Sequence, residues 1–468
     1  MLRLSLLAAS LALAFCASAE AAPVPPAANT QLARDVLSQL VSTASVHSKG
    51  STEAAQLMAR RFLDAGFAPE DVQVLAPPQA PSKGNVVIRL HGKSWDKALL
   101  YLGHLDVVEA KREDWNFDPF TLTEKDGWLY GRGTIDMLGQ DAAMIASLIR
   151  MKQEGYVPDH DIILALTADE EAGGDYVGAN WLVAQHRPLV DAAIVINPDA
   201  GEAAQKHGRS LYVAVETSEK IYMVFQAEAT DKGGHSSRPT KANPIYRLSR
   251  GLNRLSDYTF PLHLNETTRL YFEGRAKLAT GQASADMLAM SRPNPPKAAL
   301  DRLSADVETN IILRTTCVAT EIQGGHAENA LPQRARATIQ CRVIPGESQE
   351  QTMKTLTKVL ADSSLQIKPV RPSVVSPESP PAPAVLAGVR RVVDGMWPGV
   401  VVIPNMAPGA SDSIYTRIGG MPTYGVDAMF DDLDDGRAHG RDERISIKVF
   451  EEEIEFTYRM MKEFSSQH

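Results

Sequence analysis

The run Ala98-Leu99-Leu100-Tyr101-Leu102-Gly103-His104-Leu105-Asp106 decides the fold class. Residues 98–102 are apolar without alternation, the mark of a strand covered on both faces, and polar chemistry begins where that strand should stop. The pattern recurs downstream. Residues 162–166 form a second continuous apolar strand, followed by Asp169-Glu170-Glu171, and residues 192–196 a third, followed by Asn197-Pro198-Asp199. Between them Met137, Ala142, Ile145, Ala146 and Ile149 line a helix that stops near Gly155, and 178–185 also reads as helix. Strands alternating with helices predict an α/β fold, a mostly parallel sheet flanked by helices. Such sheets gather functional residues at the carboxyl ends of their strands, which is where this chain puts its His and acidic clusters.

Towards the N-terminus, residues 85–90 read as a strand, and helices are expected over 53–65 and from Gln31, where Leu32, Val36, Leu37, Leu40 and Val41 share a face. The Ala/Pro-rich stretch 20–30 reads as a disordered leader. Ahead of it, Arg3, the apolar run 4–15 and the small-residue sites Ala17-Ser18-Ala19 and Ala19-Glu20-Ala21 have the grammar of a signal peptide over 1–21. The expected location is therefore periplasmic or extracellular. Cys16 raises a lipoprotein alternative, which the bulky Phe15 before it disfavours. No later stretch is apolar for long enough to span a bilayer. A formal net charge of -9 argues against a nucleic-acid partner, and 468 residues imply two or three domains.

Towards the C-terminus the pattern changes near Thr217. Residues 221–227 alternate, Gly233-Gly234-His235-Ser236-Ser237-Arg238-Pro239 opens a helix through Ile245, Leu248 and Leu252, and strand, helix and strand follow over 336–343, 349–360 and 365–370. This predicts an inserted α+β domain over 217–372, dividing the larger α/β domain into 22–216 and 373–468, with the Pro/Ser-rich stretch 372–383 as the return linker. There is no internal repeat. Cys317 and Cys341 would remain after signal cleavage; they could pair, but two buried apolar thiols on strands is the plainer expectation.

Each polar cluster has a bland reading when taken alone. His104 and Asp106 stand two apart, so on a strand they share a face and the carboxylate can accept from the imidazole, fixing its tautomer as a metal donor. Asp136 could simply cap a helix. Asp169-Glu170-Glu171 could be a solvated turn, although three crowded acids at a sheet's edge call for a cation. His439-Gly440-Arg441-Asp442-Glu443 lies far along the chain. Together, two His and several carboxylates on successive strand ends form a nitrogen/oxygen donor set suited to zinc, manganese or cobalt.

The joint order of GHLDVV, GRGTIDMLG, ADEEAGG, GGHSSRP, GGHAENALP with CRVIPG, and HGRDE resembles the dizinc exopeptidase family of carboxypeptidase G, carboxypeptidase S, aminoacylase and succinyl-diaminopimelate desuccinylase. The matching runs span nearly all of the chain after the signal. The resemblance implies a zinc-exopeptidase catalytic domain with an inserted dimerisation or lid domain, two Zn2+ per subunit (Co2+ or Mn2+ as substitutes), and a homodimer. It implies that Asp136 bridges the metals, His104 and Asp199 complete one site, and Glu171 and His439 complete the other. Glu170 would be the general base, Asp106 the residue orienting His104, and His235 the group that reaches a partner's active site to stabilise the oxyanion. Asn329, Arg342 and Gly409 would contact a small peptide or N-acyl amino acid, Arg342 through its terminal carboxylate.

Some positions depart from the family's pattern. Asp199 stands where Glu is common, with Asn197 as a competing alignment, and Leu138 where Lys is frequent. Ser411-Asp412 replaces Thr-Asp near Gly409. His326 reads as a loop residue, and Arg342 could instead pair with a surface acid. Two rival functions stand beside amide hydrolysis at a free carboxylate. One is an aminopeptidase or dipeptidase that recognises a free amine, against which Arg342 argues. The other is a silent binding protein, which should have lost a ligand or the base.

Overall fold

In the computed structural model, which describes residues 22–466, the strand Ser94–His104 lies in a 10-stranded sheet. It runs parallel to His160–Thr167 on one side and Ile194–Ile196 on the other, and Thr423–Val426 extends the parallel run. Antiparallel strands finish the sheet, Asn85–Leu90 and Val72–Leu75 at one edge and Arg209–Glu219 with Glu202–Lys206 at the other. Leu99 and Tyr101 belong to the core under the helices Ala27–Thr43, Leu138–Gln153 and Ile447–Ser465. Ala98, Leu100 and Leu102 enter the opposite core with Ala179 and Leu182 of the helix Gly178–Gln185. Both faces are covered, which is why the run shows no polar alternation.

The signal peptide expected over 1–21 lies outside the described residues. The leader expected over 20–30 is ordered in its second half. A helix starts at Ala27, and buried Asn29 donates its side-chain amide to the carbonyl of Ala146. That long-range bond satisfies a polar group that composition alone would assign to solvent.

Ile221 opens a second, antiparallel sheet of Ile221–Thr230, Arg334–Val343, Thr316–Gly324 and Gln366–Pro369. Helices Pro244–Ser256 and Gln349–Leu360 close a separate core over it with Leu248, Leu356, Phe225 and Ile339. The first of these helices begins later than the GGHSSRP motif suggests, at Pro244, where Asn243 accepts the amide N–H of Ile245 as its cap. The stretch between Gln366–Pro369 and Pro383–Met396 holds no helix or strand.

Two features differ from expectation. Cys317 and Cys341 are not separate thiols but a disulfide: the register sets them directly opposite each other on neighbouring strands, with Cα atoms 4.1 Å apart. Four helices, Glu266–Ala276, Gly281–Met290, Lys297–Ser304 and Val307–Leu313, fill a stretch that shows no clear period. The first lies so close to the strand Val401–Ala407 that a Cβ on Gly274 would sit 2.0 Å from Ile403 Cγ2. Only glycine allows that approach.

Candidate metal centre

Three strand ends and two loops converge at the carboxyl edge of the large sheet. His104 is the last residue of Ser94–His104 and is buried. Its Nδ1 donates to the backbone carbonyl of Asp106 at 2.9 Å, so the tautomer is fixed by main chain. The Asp106 carboxylate was expected to take that bond but stands 3.8 Å from Nδ1, because Asp106 lies beyond the strand's end, where the same-face rule no longer applies. It accepts the amide N–H groups of Glu170 and Glu171 instead, each at 3.1 Å.

With Nδ1 committed, the lone pair of His104 Nε2 faces two carboxylate oxygens, Asp136 Oδ1 at 3.3 Å and Asp199 Oδ1 at 3.6 Å. Nε2 is buried and has no hydrogen-bond partner. Lone pair against lone pair is an arrangement that a cation relieves. Across Asp136 the pattern repeats: His439 Nε2 lies 3.0 Å from Asp136 Oδ2 and 2.9 Å from Glu171 Oε1. Two triads result, His104–Asp136–Asp199 and Asp136–Glu171–His439, each with its donor atoms within 4.8 Å of one another. Asp136 offers one oxygen to each. This donor set fits two divalent ions of the hard-to-borderline class.

Electrostatics carries the same message. Asp136 and Glu171 push the His439 imidazole up to about 10 against partial burial. Burial opposes a charge on His104 more strongly, yet Asp136 and Asp199 still raise it well above the ordinary imidazole range. Burial would raise Asp136, but the two imidazoles hold it below the usual carboxylate range. The cluster attracts positive charge.

Glu170 belongs to neither triad. It lines a cleft of about 360 Å³ with Asp136, Glu171, Asp199, Gly409 and His439, and also an adjoining cavity of about 500 Å³ with Tyr222, Arg371 and Tyr415. Burial and then Asp199 push its carboxyl well above the ordinary range.

The competing alignment at Asn197 is disfavoured by its contacts. Its amide donates to Ser411 and Ser413 hydroxyls at 3.2 and 2.9 Å, and its oxygen accepts the Asp199 amide N–H. Asp136 does not cap the following helix, whose N-cap is Met137. Sequence reasoning assigned no role to Glu443, which is fully buried and accepts from four donors of the Asp136 loop: Arg132 Nη1 and the amides of Gly133, Ile135 and Asp136. Its place four residues after His439, inside the HGRDE run, was the available signal.

Several expected residues belong to neither triad and line neither cavity. His235 and Asn329 are exposed, joined through the Ser236 amide N–H to the Asn329 carbonyl at 3.1 Å, and line neither cavity. His326 is likewise exposed. Arg342 is half-buried with its guanidinium 4.9 Å from the centre of the Tyr222 ring, and among the described residues no acid pairs with it. The surface-acid pairing considered for Arg342 is therefore not formed.

A mixed α/β fold thus carries two candidate metal-binding triads at its strand ends. Residues 100–463 match the model of peptidase family M20/M25/M40, and the chain belongs to that family. It is 26% identical over 376 residues to N-fatty-acyl-amino acid synthase/hydrolase PM20D1 of Homo sapiens, covering 78% of this chain and 73% of that one. It is 30% identical over 245 residues to a probable succinyl-diaminopimelate desuccinylase of Staphylococcus aureus, covering 52% of each chain. Among solved structures, the M20 family metallo-carboxypeptidase Sso-CP2 of Sulfolobus solfataricus superposes with a TM-score of 0.66 at 17% identity, covering 92% of this chain and 99% of that chain.

Proposed function

We propose that the protein is an exported, two-zinc hydrolase that cuts the amide bond of a peptide or N-acyl amino acid bearing a free carboxylate. The observation that carries this reading is the pair of triads sharing Asp136, one carboxylate oxygen toward each, with Glu170 beside them. His104, Asp136 and Asp199 hold one ion, and Asp136, Glu171 and His439 the other. Bound there, two zinc ions supply Lewis-acid polarisation of the scissile carbonyl and favour ionisation of the attacking water. Glu170 takes the proton from that water and passes it to the leaving amine. Arg342, which pairs with no acid among the described residues, receives the substrate carboxylate beside Tyr222. Gly409 lines the cleft where the scissile bond must lie.

His235 acts on a partner's site in a homodimer, and Asn329, joined to it through Ser236, contacts the substrate there. Their exposure away from their own cleft supports this, as does the strand Thr316–Gly324 at the edge of its sheet, which exposes Val318 and Ile322. The disulfide supports an oxidising compartment, periplasmic or extracellular. No helix among the described residues is long and apolar enough to cross a membrane.

The test sets N-blocked substrates with a free carboxylate against C-amidated substrates with a free amine. Cleavage of the first set supports the reading, and cleavage confined to the second overturns it in favour of amine recognition. In the zinc-loaded Glu170→Ala variant, turnover falls by at least ~100-fold, the scale of a lost general base, while bound metal is retained. Near-normal turnover would contradict the role of Glu170.

A further inference from the structure

Of the three adjacent acids Asp169-Glu170-Glu171, only the last two carry a role in the proposed hydrolysis. Asp169 is buried, and its backbone is left-handed, at φ 61°. That conformation is uncommon outside glycine and is tolerated best by Asp and Asn. Its carboxylate belongs to neither triad. Oδ1 accepts from Lys83 Nζ at 2.5 Å and lies 2.8 Å from His47 Nδ1. Lys83, also buried, comes from the turn ahead of the strand Asn85–Leu90, and its ammonium donates to the His47 carbonyl at 2.9 Å as well.

The neighbouring residues are tethered one by one. The Ala168 amide N–H donates to Asn85 Oδ1 at 3.0 Å, and the Glu170 and Glu171 amides donate to Asp106. Asp169 is the residue where the chain turns, and its tether is the ionic one. A buried ion pair adds little net stability over an apolar replacement, but it fixes one geometry, because any other leaves a desolvated charge unpaired. Here the geometry it fixes sends Glu170 into the cleft, whereas Glu171 has its own anchor in His439.

We propose that Asp169 and Lys83 are positioning residues for Glu170: their buried ion pair holds the left-handed turn that delivers the base to the cleft. The inference rests on the reading of Glu170 as general base.

The test uses the full, zinc-loaded protein and an N-acyl amino acid that it hydrolyses. Asp169→Asn keeps the tolerance for a left-handed backbone but removes the charge. The double variant Lys83→Met/Asp169→Asn removes both charges, so that neither is left buried alone should the single variant fold poorly. Each is made in the native chain and in Glu170→Gln, with kcat, KM, metal per chain and melting midpoint measured. In the native background kcat falls at least ~10-fold with KM nearly unchanged and two metals retained. In Glu170→Gln the same changes alter the residual turnover by less than ~2-fold, because groups acting through one another are not additive. Native kcat in both variants, an equal loss in both backgrounds, or a loss reversed by excess zinc would overturn the proposal. Near-native turnover in Glu170→Gln itself would remove the base assignment first, which separates the two failures.

Discussion

Asp136 and Glu443 make the most exposed claims at the scale of single residues. If Asp136 serves both triads, Asp136→Ala should drop bound metal below one per chain, whereas His439→Ala should leave close to one. Elemental analysis after dialysis against trace zinc decides this, and equal losses in the two variants would contradict a shared carboxylate. Glu443 touches neither triad's donor atoms but holds the loop that presents Asp136. Glu443→Gln should weaken metal binding ~10- to 100-fold, the usual cost of losing a supporting shell, with competition against a chelator as the readout. Much of this site could be read from the residues: His104, Asp136, Glu171, Asp199 and His439 fall into the two triads. What escaped was support. The Asp106 carboxylate serves two amides rather than the imidazole, and Asp169, Lys83 and Glu443 act through contacts that depend on where loops fold back.

Among the elements, those with a continuous apolar run or a clear helical period were legible. The helices Gly178–Gln185 and Gln349–Leu360 have the bounds expected of them. The helices between Glu266 and Leu313 did not announce themselves, being short and placed by contacts such as Gly274 on Ile403 rather than by a broad apolar stripe. The disulfide was also illegible, because pairing depends on register between strands that sequence spacing does not reveal. With its cysteines 24 positions apart, the bond should contribute about 3.5 kcal/mol by closing a loop in the unfolded chain. Denaturant unfolding of a Cys317→Ser/Cys341→Ser variant measures that contribution, and an unchanged midpoint would show that the bond does not stabilise the fold.

Across the whole molecule, the large core carries acids that are costly to ionise. Burial pushes Asp427 up to about 7, and Glu453, buried beside it, is raised well above the carboxylate range. The folded chain therefore holds protons that the unfolded chain releases near pH ~4. Because the native state binds more protons, stability falls as pH rises from ~4 towards neutrality. Metal binding has the opposite pH dependence, so the comparison belongs to metal-free protein. There the melting midpoint should decline between pH 5 and 7, and Asp427→Asn should flatten the decline; a midpoint that rises over this range would contradict the account. The central claim, a hydrolase built on two ions that share Asp136, is tested most directly by zinc titration of chelator-stripped protein with hydrolysis of an N-acyl amino acid followed alongside. The account predicts no turnover in the stripped protein and full turnover on binding two zinc ions per chain. Undiminished turnover after stripping, or full activity at one ion per chain, would contradict it.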